Sequence, residues 1–291
     1  MQVLSPLMGL LRSAQTSLQE RRYKRWQKKN PAKPFSDFFA EIQKPGLLHG
    51  RSHPTLGSNL TGLSFGQSGI ASFNMLTKNG LTEDTVCVDY GCGTLRIGVH
   101  VIKHLGRGAY WGFDIDEAFL DKGRELIGAQ TYIEKAPHLR VVSPASVTEV
   151  AAAKPTFLFS ISVMIHVHPN ELEQYFQNIM TIIGDSGRAI VSGKWSQDDT
   201  RSYSSLSWAH SMASIHNFVV ERGWDIRILH EGAAPQGYLD QRVRKGVFLI
   251  TKMVVLVVGV GEQLFADADL GDLLFSGDFG ELLFAGASFV T

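Results

Sequence analysis

The chain has 291 residues, of which 44% are hydrophobic and 19% are charged, and its 28 basic side chains balance 28 acidic ones. This composition supplies enough apolar surface for a complete core and excludes a disordered chain, while the zero formal charge excludes a general attraction to nucleic acid. Two cysteines, Cys87 and Cys92, are too few for a disulfide scaffold or a four-cysteine zinc site, and they fit a reducing compartment.

The two ends of the chain differ in charge. Residues 1–34 carry eight basic side chains against one acidic side chain, a net of +7, whereas residues 253–291 carry six acidic side chains and no Lys or Arg. Such asymmetry indicates either an interaction arm or an attraction between the ends. The apolar run over residues 253–260 is shorter than the ~20 residues that a bilayer requires, and no secretory signal pattern is evident, so we expect a cytoplasmic protein.

The first region, residues 1–64, is predicted to be a basic helix followed by a lid segment. The helix extends from Ser5 to about Lys29 and ends before Pro31. A polar-aromatic stretch from residue 35 ends at Pro45 and Gly46, and the Gly-, Ser-, His- and Pro-rich residues 45–68 indicate a loop. We expect the helix to pack on the substrate side of the core with its basic face outward.

The second region, residues 65–252, alternates strands with helices. The predicted strands cover residues 85–90, 109–114, 139–143, 156–161, 188–193, 225–231 and 245–252. The predicted helices cover residues 70–78, 95–105, 116–127, 170–183 and 206–222. This alternation predicts an α/β fold, a doubly wound parallel sheet with helices on both faces, and the last two strands form an antiparallel pair. The third region, residues 253–291, is an acidic tail rich in Leu, Phe and Gly.

The end of the first predicted strand carries the most informative motif. Residues 89–94 read Asp-Tyr-Gly-Cys-Gly-Thr, and Gly91 and Gly93 allow a tight turn and a close approach to a ligand. The second strand ends at Asp114, 25 residues after Asp89, where a carboxylate can accept hydrogen bonds from both hydroxyls of a ribose. Ligands of open parallel sheets bind beyond the carboxyl ends of the strands, so these residues predict a nucleoside site.

The loop departs from the dinucleotide fingerprint at its last glycine position, which is occupied by Arg96. A bulky side chain there disfavours a pyrophosphate at the start of the helix, and a nucleoside without phosphates suits the loop better. An NAD-type dinucleotide-binding oxidoreductase therefore remains only as an alternative.

Residues 88–94 resemble the first motif of the class I S-adenosylmethionine-dependent methyltransferases, and residues 112–116 are similar to the second. The resemblance extends over residues 65–252, with a fourth-strand motif at residues 159–167 and an approach to the fifth strand at residues 182–188. It implies a Rossmann-like sheet of seven strands in the order 3-2-1-4-5-7-6, with the last strand antiparallel. It also implies S-adenosyl-L-methionine as the cofactor.

The resemblance further implies which residues hold that cofactor. The implied set consists of Asp89, Tyr90, Gly91, Gly93, Thr94, Asp114, Ile115 and Ser160. The glycine loop would shape the methionine end, Asp114 would hold the ribose hydroxyls and Ile115 would pack on the adenine. Ser160, at the end of the fourth strand, would offer its backbone to the ammonium group.

This sequence departs from the family pattern at three places. Leu95 replaces the usual third glycine of the loop, residues 142–145 lack the acid often found after the third strand, and Thr156 stands where an Asp often begins the fourth strand. The partner of the adenine amino group is therefore left open.

Two histidines are the candidate catalytic groups. His166 and His168 follow the fourth strand and share one face of an extended segment. An oxygen nucleophile must lose a proton, and histidine is the side chain suited to accept it near neutral pH. A structural hydrogen-bonding role stays open beside the role of general base. A metal would need a third ligand, none is evident nearby, and no metal site is predicted.

The predicted function is methyl transfer to an oxygen or nitrogen of a small-molecule acceptor, with no specific nucleic-acid partner. The basic residues of region 1–34 leave open a methyltransferase that acts on a macromolecule or a lipid surface. A cofactor-binding protein without catalysis is also compatible with the sequence.

Overall fold

The computed structural model describes residues 18, 20–48, 63–204, 206–233 and 243–253. The predictions for residues 1–17, for the loop residues 49–62 and for the tail beyond residue 253 lie outside the described residues. The division of the chain into regions 1–64, 65–252 and 253–291 stays a prediction.

The described strands form one mixed sheet of nine strands. The strands are β1 (Cys87–Tyr90), β2 (Tyr110–Asp114), β3 (His138–Val141), β4 (Phe157–Ser160), β5 (Arg188–Ser196), β6 (Arg201–Ser204), β7 (Ser207–Ser211), β8 (Trp224–Ala233) and β9 (Val243–Lys252). Strands β3, β2, β1, β4 and β5 lie side by side in parallel, and β9 pairs antiparallel with both β5 and β8. With β8 and β9 as the sixth and seventh core strands, the predicted order 3-2-1-4-5-7-6 is confirmed.

An additional hairpin departs from the prediction. The last two residues of β5, Trp195 and Ser196, pair in parallel with β7, which pairs antiparallel with β6. The predicted helix over residues 206–222 is therefore wrong in its first third, since the helix begins only at Met212. Residues 207–211 alternate serine or alanine with Trp208 and His210, and this period of two favours a strand.

The helices cover both faces of the sheet. They are α1 (residues 20–29), α2 (Phe35–Leu48), α3 (Leu63–Lys78), α4 (Gly98–His104), α5 (Glu117–Ile127), α6 (Ala129–Lys135), α7 (Pro144–Ala152), α8 (Leu172–Ile183) and α9 (Met212–Val220). Short 3₁₀ turns at Met164–His166 and Pro169–Glu171 connect β4 to α8. Among the described residues, no helix combines the length and apolar character needed to cross a membrane.

Several helix boundaries correct the predictions. Helix α2 continues through Pro45 instead of ending there. The free energy gained by burying the side chain of Leu47 offsets the loss of the backbone hydrogen bond that proline cannot donate. Helix α3 begins at Leu63, within a stretch predicted to be a loop, since packing overrides the weak helix propensity of Gly and Ser. Helices α6 and α7 were not predicted. Helix α7 has a readable signal, a capping box between Ser143 and Ser146.

The core lies on both sides of the sheet because neighbouring residues of each strand point to opposite faces. Val88, Leu158 and Val191 pack on the face covered by α7, α8 and α9. Cys87 and Ile190 pack on the opposite face, against α3, α4 and α5. This two-sided burial fixes the strand ends of β1, β2 and β4 at one edge of the sheet, where the polar motifs of the sequence meet.

Candidate active site

A cavity of about 720 Å³ opens at the carboxyl ends of the central strands. Its size falls within the range of roughly 300–1,000 Å³ that is usual for small-molecule sites. The glycine loop after β1 and the end of β2 form its floor, the segment after β4 forms one wall, and residues of α2 contribute to its cover. Seven of the eight predicted cofactor contacts line it: Asp89, Tyr90, Gly91, Gly93, Thr94, Asp114 and Ile115. Ser160 is not among the lining residues.

The glycine loop is tied to the neighbouring strand. The backbone N–H groups of Gly91 and Cys92 both donate to the carbonyl oxygen of Phe113, each over 2.8 Å. Gly91 has a φ of +87° and Gly93 a φ of +55°, the left-handed region that glycine adopts without strain. A Cβ at Gly91 would also overlap both methyl groups of Val163. The loop therefore requires glycine at this position for two separate reasons.

Leu95 keeps the left-handed backbone that a glycine would have, with a φ of +64°. Its side chain is completely buried and lies in a hollow left by two glycines, Gly98 of α4 and Gly123 of α5. A Cβ at Gly98 would lie 2.8 Å from Leu95 Cδ2, and a Cβ at Gly123 would lie 2.7 Å from Leu95 Cγ. Burial of a leucine side chain is worth roughly 1.5–3 kcal/mol, which offsets the backbone strain.

We expect Gly123→Ala to destabilise the protein. Glycine within a helix usually costs about 0.5–1 kcal/mol relative to alanine, so the exchange would ordinarily stabilise α5. Here the added methyl group overlaps Leu95, and overpacking of this kind costs about 1–3 kcal/mol. Urea unfolding measures the change, and the double variant with Leu95→Ala should lose less than the sum of the single changes. A Gly123→Ala variant as stable as the wild type contradicts this account of Leu95.

The carboxylate of Asp114 is held by the backbone around it. Its Oδ2 accepts a hydrogen bond from Gly93 N–H at 2.7 Å, and its Oδ1 accepts one from Ile115 N–H at 2.8 Å. Burial raises the pKa of Asp114 to about 6, although both backbone donors act to lower it. A carboxylate offers about four acceptor positions, so two remain for a ligand in the cavity.

Asp89 forms the second acidic group of the site. Its Oδ2 accepts a hydrogen bond from the hydroxyl of Tyr110 at 2.7 Å. Burial raises the pKa of Asp89 to about 7. The hydrogen bond from Tyr110 and the charge of Arg96 act to lower this pKa, whereas the charge of Asp114 acts to raise it. Two neighbouring buried carboxylates in one cavity form an acidic surface that suits a cationic ligand.

The side chain of Ser160 forms hydrogen bonds with residues around the cavity. Its hydroxyl donates to the carbonyl oxygen of Tyr90 at 2.7 Å and accepts from the hydroxyl of Tyr175 at 2.7 Å. The Tyr90 hydroxyl accepts a hydrogen bond from Asn178 Nδ2 at 2.8 Å. The next residues, Ile161 and Ser162, line the cavity where Ser160 does not.

The two predicted catalytic histidines lie in different surroundings. His166 lines the cavity, and its Nδ1 lies 3.0 Å from the carbonyl oxygen of Leu206 and 3.2 Å from Ser207 Oγ. His168 does not line the cavity. Its ring packs among aromatic rings, 5.1 Å from Phe35 and 5.2 Å from Trp208, and burial lowers its pKa.

The cover of the cavity comes from the start of α2. Pro34, Ser36 and Phe39 line the cavity, and the Phe39 ring lies 5.3 Å from the ring of His166. The Glu171 carboxylate accepts a hydrogen bond from Phe35 N–H and a second from Ser36 N–H, so it caps the first turn of α2. Burial raises the pKa of Glu171, while these backbone donors lower it.

Sequence reasoning missed Phe39, Phe119 and Glu171 as lining residues. The contact between Glu171 and Phe35 joins residues 136 positions apart, and no local pattern marks it. Phe119 stands in the first turn of α5, directly after the second motif, and this position was its only signal. Among the described residues, no group of three or more His, Cys, Asp or Glu side chains is arranged to hold a metal ion.

Comparison with known proteins gives matches in structure alone. No family model and no curated protein matches the sequence. A methyltransferase from Anabaena variabilis, described as S-adenosylmethionine-dependent, matches with a TM-score of 0.53 and 11% identity over 76% of this chain and 97% of its own. Magnesium protoporphyrin IX methyltransferase from Synechocystis PCC 6803, solved with bound S-adenosylhomocysteine, matches with a TM-score of 0.50 and 12% identity over 75% of this chain and 98% of its own. The chain therefore has the fold of the class I S-adenosylmethionine-dependent methyltransferases.

Proposed function

We propose that the protein is a methyltransferase that uses S-adenosyl-L-methionine to methylate an oxygen or nitrogen of a small molecule. The observation that carries the proposal is the geometry of Asp114. Its carboxylate stands at the end of β2, is oriented by two backbone N–H groups and lines the cavity. Its remaining acceptor positions match the two hydroxyl donors of a ribose.

The residues present fit the rest of this cofactor. The methionine end would lie along the loop from Asp89 to Thr94, where the acidic surface suits its ammonium group. The adenine would lie between the apolar side chains of Ile115, Val142 and Phe119, which line the same cavity. Ser160 and Tyr175 would act on the cofactor through Tyr90. Their hydrogen bonds hold the backbone of Tyr90, which lines the cavity.

Bound S-adenosyl-L-methionine supplies an electrophilic methyl group, so the protein's main task is to position the acceptor against it. His166 is the proposed general base. Donation from its Nδ1–H to the carbonyl oxygen of Leu206 leaves Nε2 as the basic nitrogen, which takes the proton of the acceptor. Pro34, Ser36 and Phe39 limit the space on this side of the cavity, which favours a small acceptor.

Calorimetry tests the choice of cofactor. S-adenosylhomocysteine should bind to the purified full chain, and NAD should not, because Arg96 lines the cavity where a pyrophosphate would approach. Binding of NAD alone overturns the proposal in favour of a dinucleotide-dependent enzyme.

We expect His166→Ala to lower turnover by about 10²- to 10⁴-fold, the usual contribution of a general base. The affinity for S-adenosylhomocysteine should stay within about twofold, because Asp114 and the glycine loop are unchanged. Methyl transfer is measured on whichever acceptor in a small-molecule panel the wild type methylates. His168→Phe is the matched control, since it keeps an aromatic ring in the cluster with Phe35. Full turnover of the His166→Ala variant removes His166 from the mechanism.

A further inference from the structure

Helix α1 presents a continuous group of basic side chains to solvent. We name it the basic face, and its members are Arg21, Arg22, Lys24, Arg25, Lys28 and Lys29 of the helix and Lys33 just after it, all exposed. At 3.6 residues per turn, the six helical members lie within an arc of about 160°. Glu20 is the one acidic residue in the described segment up to residue 33. None of the seven forms an ion pair with another residue that the structure describes.

The opposite side of α1 is anchored to the domain. The Tyr23 ring lies 5.0 Å from Phe35, and the Trp26 ring lies 5.5 Å from Phe38. Trp26 Nε1 also donates to a carboxylate oxygen of Glu41 at 2.7 Å. These contacts fix which side of the helix faces outward. They also attach the basic face to the segment of α2 that covers the cavity.

The basic side chains at neighbouring positions on this helix do not stabilise each other. Basic residues three or four positions apart, such as Arg21 and Arg25 or Lys24 and Lys28, repel each other. A helix that is merely solvated usually mixes charges of both signs along its exposed face. A wide face of one sign, on a helix anchored along its other side, complements an extended anionic surface.

We propose that the basic face docks the protein on an anionic phospholipid bilayer. Leu18 lies within the same arc and is 59% exposed, so an apolar group accompanies the charges. Apolar groups next to a basic cluster are the combination that holds proteins on anionic membranes.

A nucleic acid is the less suitable partner for this surface. Single strands are bound by aromatic rings that stack on the bases, and both aromatic side chains of α1 are turned toward the domain. Leu18, which lies within the arc of the basic face, would find no contact on a phosphate backbone. A bilayer uses both kinds of side chain.

Co-sedimentation of the full chain with lipid vesicles tests the proposal. We expect binding to phosphatidylcholine vesicles that contain about 30% phosphatidylserine, little binding to phosphatidylcholine alone, and release as salt shortens the Debye length to about 3 Å. The variant Arg21→Gln/Arg22→Gln/Arg25→Gln/Lys28→Gln should bind the anionic vesicles more weakly by on the order of a thousandfold.

A matched control separates the basic face from overall charge. The variant Lys78→Gln/Lys103→Gln/Lys154→Gln/Lys245→Gln removes the same number of charges from exposed positions elsewhere and should bind like the wild type. Unchanged thermal unfolding and S-adenosylhomocysteine affinity show that both variants are folded. The proposal is overturned by equal binding to both vesicle types, by no binding to either, by an equal loss in the control variant, or by binding to RNA without binding to vesicles.

Discussion

Asp114→Asn is expected to weaken the binding of S-adenosylhomocysteine at least about tenfold. Each hydrogen bond from a ribose hydroxyl to a carboxylate is worth roughly 1.5–3 kcal/mol, and the amide offers one acceptor oxygen that the backbone donors already claim. Isothermal titration calorimetry measures the change.

Asp116→Asn is the matched control for this experiment. It makes the same change of charge two residues away, where the side chain caps α5 by accepting a hydrogen bond from Ala118 N–H at 2.8 Å. Asparagine caps helices about as well as aspartate, so α5 should be kept. If both variants bind like the wild type, or both lose affinity equally, Asp114 does not hold the ribose.

The affinity should also depend on pH through Asp114. Burial raises its pKa to about 6, so below that pH the free protein carries a protonated carboxyl that must lose its proton before it accepts both hydroxyls. The ligand favours the charged form, and affinity therefore rises as the pH rises through about 6. The difference in affinity between wild type and Asp114→Asn should shrink as the pH falls through this range. A difference that is constant between about pH 5 and pH 8 contradicts the assignment.

Gly91→Ala is expected to abolish measurable binding of S-adenosylhomocysteine and to destabilise the protein by about 2–4 kcal/mol. The left-handed φ of +87° costs a non-glycine residue on the order of 1–2 kcal/mol, and the overlap with Val163 adds to it. Relief of the overlap moves either the loop from Cys92 to Thr94 or the segment at Val163, and both line the cavity. Calorimetry and urea unfolding measure the two effects.

Two further variants separate the causes. Gly223→Ala has a comparable φ of +75°, but nothing lies within 4 Å of the added Cβ, so it measures the backbone cost alone. Gly91→Ala combined with Val163→Ala removes most of the overlap and should be more stable than additivity of the two single variants predicts. Full affinity in Gly91→Ala shows that the loop serves only as a turn.

The strand order and the part of the cavity lined by the glycine loop and Asp114 were predictable from the sequence because their signals are local. The alternation of strands and helices predicts the parallel sheet, and Gly91 and Asp114 are marked by their positions at the ends of β1 and β2. Parallel strands bring their carboxyl ends to one edge, so these two residues, 23 apart in the chain, meet in space.

The part of the cavity lined by α2, His166 and Glu171 depends on contacts that no local pattern records. Glu171 caps a helix that begins 136 residues earlier, and the ring of Phe39 reaches His166 only because α2 lies across the sheet edge. The position of His168 also depends on such contacts. Its spacing in the sequence predicts a place beside His166, but its ring packs against Phe35 and Trp208. Each of these positions is set by tertiary packing.

The hollow that receives Leu95 restricts how this loop can change during evolution. Conversion of Leu95 to the usual glycine would empty a buried space and cost on the order of 2–5 kcal/mol. A side chain gained first at Gly98 or Gly123 would collide with the leucine that is still present. Each single step is therefore worse than either end point, and the three positions can change only together. A leucine loop of this kind is expected to persist in descendants of the chain, whatever ligand their cavity comes to hold.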